Sequence, residues 1–227
     1  SDGSSVPGRW LESPRDFNNA WSQEVRLVSQ GDGPLQWIVG AMGFGSKAGT
    51  TLDVYTPGRV TNIRGRQKAK AYAGYAEATY EVLDRLFVSG GVRYSWERKT
   101  FTPFVGTVSP TVSKAFDDWT PHGSVRFELS PEATLFATYS EGFKSGIYNI
   151  AAAGTVPVRP ETIKAIEAGV KLQPSSFLRA NLSAFTYDYK DLQVSARLAG
   201  NTVAFLQNVG AAKIKGIDFD ISAAPVE

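Results

Sequence analysis

Leu86-Phe-Val-Ser-Gly-Gly-Val-Arg-Tyr-Ser-Trp-Glu-Arg-Lys99 alternates with a period of two. Leu86, Val88, Gly90, Val92, Tyr94 and Trp96 fall on one side; Ser89, Arg93, Ser95, Glu97 and Lys99 fall on the other. Successive side chains of a β-strand point to opposite sides. The stretch therefore reads as a strand with one apolar face ending in aromatics and one polar, charged face. It is also long, since a strand of a globular protein usually has about 5–6 residues.

The pattern recurs on both sides of this segment. Tyr72, Gly74, Ala76, Ala78, Tyr80 and Val82 oppose Tyr75, Glu77, Thr79 and Glu81. Val125, Phe127 and Leu129 oppose Thr120, His122, Ser124, Arg126 and Glu128. Ile166, Ala168, Val170 and Leu172 oppose Glu161, Glu167 and Lys171. With weaker segments added, nine strands are predicted, at about 21–29, 35–44, 67–82, 86–100, 117–129, 133–145, 161–172, 177–194 and 203–223. Helix signals are nearly absent, because Gly and β-branched residues punctuate every stretch.

Two kinds of connection alternate between these strands. Short turns are expected at Gly31–Pro34, Leu83–Arg85, Ser130–Glu132 and Gln173–Ser176, where Pro, Gly, Asp and Ser supply tight-turn chemistry. Longer loops are expected at roughly 45–66, 102–116, 146–160 and 195–202. Short turns at one end and long loops at the other are the asymmetry of an outer-membrane barrel. Tyr72 and Tyr80 lie eight residues apart on one face, which is about 26 Å along a strand at ~3.3 Å per residue. A tilt of ~40° reduces that to roughly 20 Å, near the ~25 Å apolar band that aromatic girdles flank. The fold class predicted is all-β, an antiparallel up-and-down transmembrane β-barrel, here partial, with about nine strands of a larger barrel. A soluble β-sandwich also alternates in and out, and a β-rich binding module or adhesin is the competing reading.

Composition narrows the function classes. Of 227 residues, 42% are hydrophobic and 12% aromatic, unlike a disordered or collagen-like chain. The 24 Lys and Arg nearly balance 22 Asp and Glu, which gives no general push toward nucleic acid. The absence of cysteine removes disulfides and thiolate metal sites, and a single histidine removes a multi-histidine centre. A mean hydropathy of −0.18, without an apolar run near membrane-helix length, excludes helical spans but not a β-barrel. Ser1 is not an initiator methionine and Ala223-Ala-Pro-Val-Glu227 reads as a turn, so both ends are expected to be cuts in, or processing boundaries of, a longer chain.

Candidate chemistry is sparse. His122 sits on a polar strand face, where a hydrogen-bonded lumen residue is the simpler reading; a serine hydrolase would need a serine and a carboxylate converging on it. Asp117-Asp118 and Asp218-x-Asp220 have the chemistry of a hard-cation site, with structural roles as the simpler reading. Gly40-Ala-Met-Gly-Phe-Gly45 superficially resembles a dinucleotide loop, but no helix pattern follows it. No catalytic, metal or cofactor residue is assigned, and the chain is not read as an enzyme. Arg59, Arg64, Arg66 and Lys68 make the first long loop basic, which suits either an anionic chelate or lipopolysaccharide phosphates.

The segment Tyr139-Ser-Glu-Gly-Phe-Lys-Ser-Gly146 is more distinctive. With Arg159-Pro-Glu-Thr162, Glu167-Ala-Gly-Val-Lys171, Asn181-Leu-Ser-Ala-Phe185, Tyr187-Asp-Tyr-Lys-Asp191, Asn208-Val-Gly210 and Lys215-Gly216, it resembles the central barrel region of TonB-dependent outer-membrane receptors. Gln23-Glu-Val-Arg-Leu-Val-Ser29 resembles another recurring barrel strand of that family. The resemblance covers the chain from about Trp21, and the order and spacing of the motifs give it its strength.

The resemblance implies a 22-stranded barrel around a plug, driven by the inner-membrane TonB energy complex through an N-terminal TonB box. Residues 1–227 are expected to be a fragment of that barrel domain, with plug, box and the aromatic C-terminal insertion signal not present in it. It further implies a Gram-negative outer-membrane location, contact with membrane lipid and lipopolysaccharide, and energy-coupled uptake of a scarce large ligand. A ferric siderophore is the leading expectation, with a cobalamin or glycan as alternatives. Ligand contacts are expected in loops 45–66, 102–116 and 146–160, with no single residue assigned.

Overall fold

The computed structural model describes residues 10–11, 15–104, 110–150, 154–196 and 205–224. Ten strands form one antiparallel sheet. They are β1 (Trp10–Leu11), β2 (Arg15–Val28), β3 (Leu35–Thr56), β4 (Arg59–Leu83), β5 (Leu86–Pro103), β6 (Val112–Ser130), β7 (Ala133–Lys144), β8 (Glu161–Ser175), β9 (Leu178–Ala196) and β10 (Phe205–Ala223). From β2 onward each strand pairs with its sequence neighbour, and the two-residue β1 pairs with β3 beyond the end of β2. The nine long strands match the nine expected. The sheet is an up-and-down wall that does not close on itself.

The alternation places residues as read. Tyr72, Tyr80, Val88, Val92, Trp119 and Phe127 are all exposed on the outward face. Tyr72 stacks on Trp96 with centroids 5.9 Å apart, and Tyr94 packs against Trp119 at 4.8 Å. Both are directly opposed cross-strand pairs, the geometry in which aromatic side chains reinforce a sheet. They form a girdle on the outer face, toward the end where the long connections lie.

At the short-turn end the connections are tight at Asp84–Arg85, Pro131–Glu132 and Ser176–Phe177, while bends at 31–34 join β2 to β3. The last tight turn falls later than expected, because β8 continues through Pro174 to Ser175 across a bulge. The largest correction is at 45–66. This segment is not a loop: β3 and β4 run on in register from Leu35↔Tyr80 to Thr56↔Arg59 and reverse only at Pro57–Gly58. Gly58 has φ +73°, a conformation that costs glycine little. Apolar alternation had ended near Phe44 because a strand beyond the bilayer no longer needs an apolar face; its backbone ladder continues regardless. Likewise β5 runs to Pro103 and β6 starts at Val112, so both flanks of the expected 102–116 loop are strand. The 146–160 connection lies between β7 and β8 as expected. The expected loop 195–202 falls largely outside the described residues.

The β6–β7 ladder is the exception to this continuity. It ends at His122↔Ser140, next to Pro121, which has no N–H to donate. Beyond that point β6 pairs with β5 alone, and β7 pairs with β8 alone.

Candidate functional site

The buried side chains gather on the inward side of the long-connection end. Val54, Phe101 and Pro103 are fully covered there, and Ile63, Phe116, Tyr148 and Val158 nearly so. Tyr148 and Val158 belong to the connection Ser145–Pro160, whose described parts, 145–150 and 154–160, fold back against the inner wall as a strap. Tyr148 stacks on Phe101 with centroids 5.5 Å apart and an interplanar angle of 19°. Burial pushes the Tyr148 hydroxyl above its ordinary pKa.

The strap is closed at its base by its own backbone, since Val158 N–H donates to Ile147 O at 2.9 Å. A Cβ at Gly146 would run into the Val158 carbonyl and the Phe116 ring. Only glycine fits where the two limbs and the wall meet, which gives the last residue of Tyr139–Gly146 its physical reason.

Side chains from β5, β9 and β10 then fasten it. Ser145 Oγ donates to Glu97 Oε2 of β5. Gln193 Nε2 of β9 donates to the carbonyls of Ser145 (3.1 Å) and Arg159 (2.9 Å), one from each end of the strap. The Gln193 backbone N–H donates to Glu161 Oε2 of β8 at 2.7 Å. Asn149 pairs with the Leu206 backbone of β10 in both directions at 2.7 Å. Asn208 Oδ1 accepts from Arg159 N–H at 2.7 Å, and its Nδ2 donates to the carbonyls of Arg159 (3.0 Å) and Asp191 (2.7 Å). Arg159 also reaches Asp191 Oδ1 at 2.5 Å, which holds the guanidinium pKa above its usual value. Asp191 sits at φ 53°, which Asp tolerates better than most residues.

These fastening residues come from the motifs quoted above: Ser145 and Gly146, Arg159 and Glu161, Asp191, and Asn208. Sequence reasoning gave none of them a role. Asn149 and Gln193 lie outside the motifs and were missed altogether. Their only signal was an amide side chain near the loop end of a strand.

Below the strap the inner wall is polar. Tyr75 Oη donates to Glu24 Oε1 at 2.8 Å, and the Arg93 guanidinium lies 5.8 Å from the Tyr75 ring centroid and donates to Ser95 Oγ at 3.1 Å. His122 Nε2 lies 3.2 Å from Glu77 Oε2, reaching it across Gly91, which opposes both residues. Arg126 pairs with Glu128, and Lys99 lies 3.5 Å from Glu97. Several of these contacts join neighbours two apart on one strand rather than residues of adjacent strands. Glu77 and Glu128 are held by His122 and Arg126, and Arg93 has no carboxylate partner among the described residues.

The other candidates separate. His122 lies beside Glu77 in the wall and does not belong to a triad. Asp118 accepts from the Trp119 N–H at 2.8 Å and Asp117 from the Tyr94 hydroxyl at 3.3 Å; as neighbours on a strand they face opposite sides and do not share a cation. Asp218 and Asp220 share the inner face, opposite Ser183 and Asn181. No group of three or more His, Cys, Asp or Glu able to hold a metal occurs among the described residues. Gly40–Gly45 is part of β3, not a phosphate loop. Arg64, Arg66 and Lys68 alternate along β4 on the outward face, away from the lumen, with Arg64 3.9 Å from Asp53. The side chain of Arg59 lies outside the described residues. An anionic chelate inside the lumen would not meet this row.

Comparison with known proteins agrees with this architecture. The family model for the TonB dependent receptor-like β-barrel matches residues 2–224. The chain belongs to this family of outer-membrane β-barrels of Gram-negative bacteria, whose members are receptors rather than enzymes. It is 23% identical to the pesticin receptor of Yersinia enterocolitica over 224 residues, covering 95% of this chain and 32% of that receptor. It is 29% identical to the rhizobactin receptor of Rhizobium meliloti over 108 residues, covering 41% of this chain and 14% of that one. The ferric yersiniabactin uptake receptor of Yersinia pestis superposes with a TM-score of 0.82 at 20% identity, covering 95% of this chain and 34% of that one. The chain thus spans about a third or less of the length of these relatives.

Proposed function

We propose that this chain forms part of the barrel wall of an outer-membrane receptor that imports a ferric siderophore or a similar large chelate. The plug, the TonB box and the coupling to the inner-membrane TonB complex belong to the same reading, with 1–227 as one piece of the barrel domain. The observation that carries it is the strap. An ordinary outer loop would extend into solvent; this one is turned into the lumen and fastened to β5, β9 and β10, in the path of an entering ligand. The likeness to the ferric yersiniabactin uptake receptor and to a ferric citrate transporter supports the ligand class. The soluble-module alternative fails on the outward face, where exposed Tyr, Trp, Val and Phe side chains form a continuous band that water would disfavour.

The test is uptake of radiolabelled iron by cells relying on this receptor, supplied as phenolate, catecholate, hydroxamate or citrate chelates. Accumulation from one chelate class, lost when TonB is deleted, is the expected result. Uptake of cobalamin or a glycan instead, with no iron accumulation from any chelate, would overturn the siderophore assignment.

A further inference from the structure

The wall is notched on its long-connection side. In the register of the β6–β7 ladder Lys144, the last residue of β7, comes level with Asp118. Residues 112–117 of β6 therefore stand beyond the end of β7. Glu161, the first residue of β8, comes level with Asp191, so residues 192–196 of β9 stand beyond it in the same way. The chain that would fill this gap as two further lengths of strand is the strap, which turns inward instead. Three strand spacings of ~4.8 Å separate β6 from β9 along the wall here, about 14 Å. Trp119 of the aromatic girdle lies just below residues 112–117, which places them clear of the apolar band.

A strand edge facing such a gap presents N–H and C=O groups without partners, and folded proteins blunt such edges. Most of the notch is blunted. Pro121 has no N–H, and the Trp119 N–H donates to Asp118 Oδ1 at 2.8 Å. On the far side Asp191 leaves the extended conformation at φ 53°, and the Gln193 N–H donates to Glu161 Oε2 at 2.7 Å. The upper part of β6 differs. The Glu128 N–H donates to Arg85 O, toward β5. Alternate residues of an antiparallel strand bond the same neighbour, and the β5–β6 register is unbroken from Phe127 to Val112. The even-numbered residues of β6 thus pair with β5, and Ser113, Ala115 and Asp117 turn their N–H and C=O groups to the notch. All three residues are exposed, and no cap or strand meets these groups among the described residues. The Asp117 carboxylate accepts from the Tyr94 hydroxyl at 3.3 Å, and no cation pairs with it among the described residues.

From this bare edge we infer that the upper part of β6 takes an extended peptide segment of a cell-surface protein as an added strand, with a basic side chain opposite Asp117. Ser113, Ala115 and Asp117 offer alternating N–H donors and C=O acceptors in a row, the pattern that an extended backbone completes. Opposite charges on directly opposed residues reinforce a sheet, and Asp117 is the charged residue of this row. Lys114 and Phe116 point the other way, into the interior, where the Lys114 ammonium lies 5.6 Å from the Phe116 ring centroid. The strap backs that side, and Gly146 brings no side chain against Phe116. The inference rests on the strand edge and not on the identity of the imported ligand.

The receptor carrying this chain, purified in mild detergent, would be titrated with the fluorescent peptide acetyl-Thr-Val-Lys-Val-Thr-Val-Thr-amide, following its anisotropy. The same peptide N-methylated throughout its backbone, and a form with Glu in place of Lys, are compared with it. The parent peptide is expected to bind, the N-methylated form at least ~tenfold more weakly and the Glu form about threefold more weakly. Ala115→Pro removes an N–H that β5 does not use, as Pro121 already does on the same edge, and should weaken binding at least ~tenfold. Lys114→Gln alters no edge group and should stay within about twofold. Heat-modifiable mobility on gels reports that each variant is folded. If Ala115→Pro fails to fold, Asp117→Lys should reverse the preference, so that the Glu peptide binds more tightly than the Lys peptide. Absence of binding at ~1 mM peptide, binding unchanged by N-methylation or by Ala115→Pro in a folded receptor, or a preference that Asp117→Lys does not reverse would each overturn the proposal. No step of this assay involves uptake, so it stands or falls separately from the siderophore reading.

Discussion

Phe101 and Tyr148 stack at 5.5 Å between centroids, one on the wall strand β5 and the other on the strap folded inside the wall. Phe101 is fully buried by this contact and its neighbours. The pair decides whether the strap lies on the wall or hangs in the lumen. Phe101→Ala is expected to cost about 3–5 kcal/mol, the range for removing a large buried ring. Tyr148→Phe keeps the ring pair and should cost less than about 1 kcal/mol. Urea unfolding of vesicle-reconstituted protein measures both, and equal effects would show that the rings do not act as a pair.

Alkaline pH tests the same contact. Burial raises the Tyr148 pKa, so folding favours the neutral phenol. That contribution is complete below the ordinary tyrosine pKa and is lost as pH rises through the raised, folded-state value. Strap protection against an externally added protease should therefore fall at pH above about 10, the ordinary tyrosine pKa. In Tyr148→Phe the fall should disappear.

Gln193 and Asp191 lie two residues apart and should differ sharply on mutation. Gln193→Leu leaves the Ser145 carbonyl without its buried donor and the Arg159 carbonyl with Asn208 Nδ2 alone, at about 1–3 kcal/mol. Asp191→Asn removes an ion pair whose arginine side chain is 67% exposed, worth less than about 1 kcal/mol, and keeps a residue that tolerates the positive φ at this position. Protease cleavage within the strap of intact cells should rise strongly for the first and little for the second. The reverse order would mean that the ion pair, not the amide, fastens the strap.

Val92 and Arg93 are adjacent and face opposite sides. Val92 is in register with Ala76 and Pro121 on the outward face. Val92→Arg should cost about 2–4 kcal/mol near mid-bilayer. Arg93→Ala should cost clearly less, since no carboxylate among the described residues is left unpaired by it. A nitroxide at position 92 should be reached by oxygen but not by a polar nickel reagent, with the opposite result at position 93. Shielding of position 92 from both reagents would rule out lipid contact.

The parts of this fold legible in the sequence are those that the membrane itself selects. Between Tyr72 and Val82 every second residue lies on the apolar outer face, so the alternation is strong and marks the strand closely. Beyond Phe44 the alternation fades, and a strand that reaches Thr56 carries the sequence signal of a loop. The strap was harder still. Its contacts join Ser145 to Gln193 and Asn149 to Leu206, pairs distant in sequence, mostly between amide side chains and backbone. No periodicity marks such contacts. Phe101 and Tyr148 likewise gave no sign that they meet, because an aromatic beside a loop serves a girdle as readily as an interior.

The strap springs from β7 and β8 but is held by β5 on one side and by β9 and β10 on the other. It is a chord drawn across an arc. A curved sheet left open would change its radius by small rotations at each ladder, and the short β6–β7 ladder inside this arc is where it yields most readily. With the chord in place, the arc from β5 to β10 cannot flatten without parting Tyr148 from Phe101 or Asn149 from Leu206. The width of the lumen at this level is thus set by a tie across it as well as by the number of strands around it.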